Sequence, residues 1–424
     1  MKRLLILPVL LALTFAPRAY AALSEMGVED RIIVAFKAGT SPAEQRKIAA
    51  ANGLQVVDQI PSLAVLLVKA PSGLAAGARA RLSANPQILR ADADIWRQWI
   101  EAAPASVYQT PFPSVESTLQ TLPKPSASAK FAARAPKAEE VQWGVARVNA
   151  PAAWTTNQGA GVKVAVIDTG IDPNHAEFAG RIGGGLNALD EKASWADDHA
   201  HGTHVAGIIA AAFDGQGVVG VAPKATLYAV KVLTKEGKGD LFAIMKGIAW
   251  CGQNGIQVAN MSLGAAQEMP LLQYALQSAV SAGVTVVAAA GNDGKAVNWP
   301  AAYPETIAVS ALCPTGITET KLCPSAAEGI ATFSSRGPEV AFIAPGVKIP
   351  SSVPVWHDAS GIKMYSGTSM ATPHVAGLAA LAVARGANGL DAVRAALKAA
   401  AEPLAGLSPS EQGAGLINAA KLAR

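Results

Sequence analysis

The sequence predicts an α/β fold: a parallel sheet with helices on both faces, preceded by a small α+β unit of order β-α-β-β-α-β. Three observations predict it. From about residue 139 onward, short apolar runs of strand length alternate with helix-length segments, as in a buried parallel sheet. Residues 31–100 carry strand and helix patterns in the β-α-β-β-α-β order. Between the two, Pro104, Pro111, Pro113, Pro123, Pro125 and Pro136 fall among Ala, Ser and Thr, which marks 101–138 as a flexible linker.

Within the small unit, residues 31–36 read as a strand. Ser41, Pro42 and Gly53 supply the N-cap, the first helical position and the stop of a helix reaching about Asn52. Residues 54–60 and 63–68 read as a strand pair around Pro61-Ser62. A helix over 74–84 and a strand over 88–95 complete the order. In the large unit the predicted alternation is strand 162–167, helix 202–213, strand 226–233, helix 241–254, strand 258–263, helix 271–282 and strand 284–290. Parallel sheets place their sites at the carboxyl ends of strands.

Half of the 424 residues are hydrophobic and 16% are charged, enough for a large core and too apolar for disorder. The net charge of +4 is small, and no run of basic residues supports nucleic-acid binding. The start of the chain has the order of an export signal: Lys2 and Arg3, an apolar stretch from Leu4 to Phe15, and the small-x-small site Ala19-Tyr20-Ala21. Residues 1–21 are therefore expected to be removed. No later stretch is long and apolar enough to predict a membrane span. Of three cysteines, Cys313 and Cys323 flank a Pro/Gly/Thr-containing loop and are expected to pair, leaving Cys251 as a buried thiol.

Three segments carry chemistry. Asp168-Thr-Gly170 ends an apolar strand. Alone it reads as a turn, and a dinucleotide fold is disfavoured because Gly159 and Gly161 precede the strand instead of following it. His199-Ala-His201-Gly-Thr-His204 holds three of the six histidines. A zinc-protease helix would need a Glu between the histidines; a single catalytic imidazole at a helix start is the other reading. Ser369 follows Gly367-Thr368 near a predicted helix start, where outward N–H groups favour developing negative charge. A serine nucleophile needs a base, and the base an orienting carboxylate. Asp168, His201 and Ser369 stand in one of the known chain orders for such a triad.

Residues 168–172, 201–207 and 367–374 together resemble the three active-site motifs of the subtilisin family. The resemblance extends from about Val141 to the segment 413–419, and residues 31–100 resemble that family's inhibitory propeptide. It implies a secreted serine endopeptidase, made as a self-processing zymogen with domains at 22–100 and 139–424 and a prodomain tail (91–99) lying in the active site until cut. Ser369 would attack, His201 would carry the proton, Asp168 would orient the imidazole, and Asn292 would donate to the oxyanion. Ser262, Leu263, Gly264, Ala289 and Gly291 would wall the substrate site, with Asn298 at the floor of the first specificity pocket and Asp293 near its rim. Ala265 stands where the family usually has a second glycine. A medium-sized, somewhat polar pocket is expected, not one exclusive for Arg or Lys. Catalysis would need no cofactor. A structural calcium is expected at the loop 212–218, with Glu177 and Asp214 as oxygen ligands. The expected partners are protein substrates and the chain's own propeptide, with no nucleic acid, no membrane in the mature form, and a monomeric state. The rival reading is an inactive scaffold of the same fold.

Overall fold

The computed structural model describes residues 28–100 and 141–422. They form two compact units, one of residues 28–59 and 64–96, the other of 60–63, 97–100 and 141–422. The expected signal segment (1–21) and linker (101–138) lie outside the described residues.

The first unit is a four-stranded sheet in the order 55–60, 65–69, 31–36, 88–93. The middle strand Arg31–Phe36 runs antiparallel to both neighbours. Its alternate residues Ile32, Val34 and Phe36 pack with Ile48, Ala49, Ala78 and Leu82 of the two helices, as the two-residue period of a strand requires. The first helix spans Pro42–Ala51, and Ser41 Oγ accepts from Glu44 N at its start. The second spans Ala75–Ser83. The break expected at Pro61-Ser62 is a single 3₁₀ turn.

The second unit is built on a mostly parallel sheet whose main path runs 401–402, 416–417, 340–345, 306–313, 285–289, 258–261, 163–168, 226–231, 182–187. The first strand in sequence, Lys163–Asp168, lies inside this order. From it the chain moves to one side, first to the edge strand 182–187 and then back to 226–231 beside it, and afterwards to the other side through 258–261, 285–289 and 306–313. The carboxyl ends of 163–168 and 258–261 therefore flank the point where the winding reverses, the crevice that open α/β sheets use for ligands.

Val164 and Val166 join a core with Val205 and Ile209 of helix His201–Ala210 and with Val375, Ala379 and Val383 of helix Thr368–Ala384. Ile167 points the other way, toward Gly247 of helix Leu241–Gln253. Helices thus cover both faces.

The expected strands run slightly long in the sequence reading. They end at Lys231, Met261 and Ala289, because the residues after them leave the sheet to form loops of the site. The helix expected over 202–213 is His201–Ala210. Ala211 is extended, and its carbonyl accepts Gly220 N. Cys313 and Cys323 are bonded to each other, and Cys251 is a buried thiol whose pKa burial pushes well up. Among the described residues no helix is long and apolar enough to cross a membrane.

Candidate active site

Asp168 closes the strand 163–168 and is fully buried. His201 is the first residue of its helix. The two meet because helix and strand end approach closely: a Cβ on Gly202 would lie 2.1 Å from Gly170 O. His201 Nδ1 is 2.8 Å from Asp168 Oδ1 and 3.0 Å from Oδ2. A carboxylate only accepts, so Nδ1 carries the proton and Nε2 is left with a lone pair. Thr169 N also donates to Asp168 Oδ1, at 2.7 Å.

Ser369 is the second residue of helix Thr368–Ala384. Pro373 lies inside that helix and has no N–H to give the Ser369 carbonyl four residues back. Ser262 Oγ supplies the missing donor, at 2.8 Å to Ser369 O, and accepts in turn from Asn260 Nδ2 at 2.9 Å. The Ser369 hydroxyl itself donates to Ser262 O, at 3.2 Å. The strand after 258–261 and the nucleophile's helix are thereby tied at both the backbone and the side chain of Ser369.

The orientation of Asn292 is fixed chemically. Its Oδ1 accepts from Thr368 N at 2.8 Å and from Thr368 Oγ1 at 2.9 Å. A backbone N–H can only donate, so the atom it meets is the oxygen, and Nδ2 is left to donate elsewhere. Gly291 N donates to the same threonine hydroxyl at 3.2 Å.

One pocket is lined by Leu263, Gly264, Ala289, Gly291 and Asn298 together with Asn292, Thr368, Ser369 and Trp99. It gathers five of the six expected substrate-binding residues; the sixth, Ser262, lies behind them against Ser369. Asn298 is 3% exposed, so its amide makes the lining polar at depth. Asp293, expected near the rim, is absent from this lining and accepts from Ser335 Oγ at 2.6 Å. Residues 97–100 run along the same cleft. Gly264 N donates to Trp99 O at 3.0 Å, Trp99 N and Ile100 N donate to Gly237 O at 3.1 and 3.4 Å, and Trp99 Nε1 donates to Gly239 O at 2.9 Å. This is the hydrogen bonding of a peptide added between two edges.

The remaining histidines of the motifs are structural. His204 is fully buried, stacks on Tyr365 at 4.4 Å, and holds Nε2 against the carbonyls of Ile349 and Lys363. Burial pushes its pKa down to about 3. His374 is fully buried with Nδ1 on Met370 O, and burial lowers it to about 4. Burial, then the His201 charge, also lowers His199. Neutral imidazoles turned onto carbonyls leave no zinc site here.

Sequence reasoning missed Thr368, Asn260 and Asp197. An asparagine inside the apolar run 258–261 and an aspartate four residues before His201 were the available signals. Asp214 lies in the expected loop, and Glu177 reaches it from the 3₁₀ turn Ala176–Phe178. Glu177 Oε1 accepts Val218 N at 3.1 Å and Asp214 Oδ1 accepts Gln216 N at 3.1 Å. Among the described residues no three His, Cys, Asp or Glu side chains gather to hold a metal.

Comparison with known proteins bears on this geometry. Residues 159–415 match the subtilase family, and residues 20–93 match the fervidolysin N-terminal prodomain. Subtilisin BL of Lederbergia lenta is 43% identical over 285 residues, covering 66% of this chain and 98% of that protein. The alkaline protease of Shouchella clausii is 43% identical over 285 residues, covering 66% and 70%. Subtilisin E of Bacillus subtilis is 43% identical over 254 residues, covering 58% and 62%.

Proposed function

Because the chain belongs to the subtilase family of serine endopeptidases, and carries a prodomain of the fervidolysin type, we propose that Asp168, His201 and Ser369 are its catalytic triad and Asn292 its oxyanion donor. The observation that carries this is the Asp168–His201 pair at 2.8 Å, together with a serine at a helix start beside an amide whose N–H₂ is left to donate.

The hydroxyl of Ser369 turns from Ser262 O to His201 Nε2 and loses its proton there as Oγ bonds to the substrate carbonyl carbon. Asp168 holds the Nδ1–H and stabilises the imidazolium. The carbonyl oxygen becomes an oxyanion and accepts from Asn292 Nδ2 and Ser369 N. His201 then passes its proton to the leaving amine, the C–N bond breaks, and an acyl-enzyme remains. Water, deprotonated by His201, reverses the sequence and releases the acid.

Substrate backbone pairs with Gly264 and Gly237 as residues 97–100 do, and the side chain before the scissile bond enters the pocket floored by Asn298. A segment held in this way competes with substrate, which fits the inhibitory role of a prodomain. The domains are then 22–100 and 139–424, with maturation inside 101–139. Relatives of the subtilisin type and the order of residues 1–21 support export and a secreted mature form. For calcium the support is weaker. Both Glu177 and Asp214 are engaged by backbone N–H groups of the loop 212–218, and two such carboxylates do not build the six-to-eight-oxygen shell that Ca²⁺ takes. No step here passes through a metal.

The test is the mass of the secreted product from the parent chain and from Ser369→Ala, with labelling by a serine-directed phosphonate. The parent should shorten to the catalytic domain and take one label, and the variant should stay full length and unlabelled. A parent that takes no label overturns the proposal in favour of a scaffold.

A further inference from the structure

We propose that Asp197 is a positioning residue for the Asp168–His201 pair, acting as the hub that fixes the loop of one to the loop of the other. This rests on the triad proposed above and adds a residue to it.

Asp197 is 6% exposed and lies four residues before His201. Its carboxylate accepts five hydrogen bonds. Oδ1 takes Thr169 Oγ1 at 2.8 Å, His199 N at 2.9 Å and Ala200 N at 3.0 Å. Oδ2 takes Thr203 N at 2.9 Å and Thr203 Oγ1 at 2.6 Å. Thr169 follows Asp168 directly, and its hydroxyl accepts Gly202 N at 3.0 Å. Thr203 Oγ1 accepts Asp172 N at 3.0 Å. The residues that follow Asp168 and those on both sides of His201 are therefore pinned to one side chain.

Backbone strain at the same place points the same way. Ala200, just before His201, has φ of 87°, a left-handed conformation costly for a residue with a Cβ. Such a conformation persists only where its surroundings impose it, and it concentrates at functional sites. The Asp197 Oδ1 bond to Ala200 N imposes it here, and it sets the direction from which the imidazole meets Asp168. An asparagine cannot replace this hub, because one oxygen would become an N–H₂ facing two donors.

The charge of Asp197 also reaches the site: it favours protonation of His199 and His357. The charged or titratable groups around His201 are Asp168, Asp197, His199, His204 and His357, with Lys231 donating to Thr169 O and paired with Asp198.

The experiment compares the secreted, matured enzyme with Asp197→Asn, Thr169→Val and Thr169→Ser, each normalised by active-site titration with a serine-directed phosphonate. Asp197→Asn should lower kcat about 100-fold, the scale of a misplaced catalytic group, with KM within about twofold. Thr169→Val cuts the link while Asp197 stays in place, so kcat should fall, and Thr169→Ser should restore it. A titrated Asp197→Asn enzyme with parental kcat overturns the assignment, as does an effect confined to yield or Tm. If Asp197→Asn does not fold, the threonine pair decides: parental kcat in Thr169→Val overturns it. His201→Ala is assayed alongside. If that variant keeps activity, the triad fails, which is distinct from failure of the hub.

Discussion

Lowering the pH should destabilise this protein well above the ordinary carboxylate range, through His204 and His374. Both are fully buried, and desolvation holds them at about 3 and about 4 in the folded state, against 6.5 as the ordinary value. The unfolded chain therefore binds two more protons than the folded one between pH 4 and 6.5. Stability is fully present above about 6.5 and falls as the pH drops below it, at roughly 1.4 kcal/mol per unit for each group. Integrated from pH 7 to 5, each histidine withdraws roughly 2 kcal/mol, and the pair roughly 4 kcal/mol. That is a large part of the stability of an ordinary domain. The assay is urea unfolding of the full chain carrying Ser369→Ala, which prevents self-digestion, at half-unit steps of pH. In His374→Gln the slope below pH 6.5 should drop by about one proton. An unchanged slope in that variant, or a flat midpoint between pH 7 and 5, would refute the argument from burial.

Three further outcomes follow from individual contacts. Asn292→Leu should lower kcat by about 10²–10³ with KM little changed, since its N–H₂ serves the oxyanion more than the substrate; steady-state kinetics on a peptide anilide checks this. Ser262→Ala strips the Ser369 carbonyl of its donor next to Pro373 and should cost about 1–3 kcal/mol in unfolding by urea. Replacing Cys313 and Cys323 together by serine opens a short loop and should cost about 3 kcal/mol by loop entropy, read as a lower urea midpoint at unchanged kcat.

What the sequence made legible was whatever local chemistry dictates. Apolar strand 163–168 ends in an aspartate, Ser41 and Pro42 open a helix, and two cysteines ten apart close a loop. These need no knowledge of distant partners, and the structure contains them as expected. The strands 306–313 and 340–345, both largely buried, gave no period, because a strand covered on both faces has no alternation to read. The bond that Asp293 makes was hidden for a related reason. Its contact with Ser335 joins residues 42 apart, and nothing local to either announces the other.

The same distinction explains why the missed residues are the ones that orient the site. Thr368 and Asn260 look ordinary in sequence, one beside the nucleophile and one inside an apolar strand. Their meaning arises only when the strand end at 261 is placed against the helix start at 368. Pro373 is the instructive case. As a residue in a helix it reads as a defect that removes a hydrogen bond. In the folded chain the carbonyl it leaves free belongs to Ser369, and Ser262 Oγ occupies it at 2.8 Å. A proline that weakens its own helix thereby creates the acceptor that joins the nucleophile to the neighbouring strand. The position of Ser369 is thus set by a long-range bond to a carbonyl that the proline deprives of its helical donor.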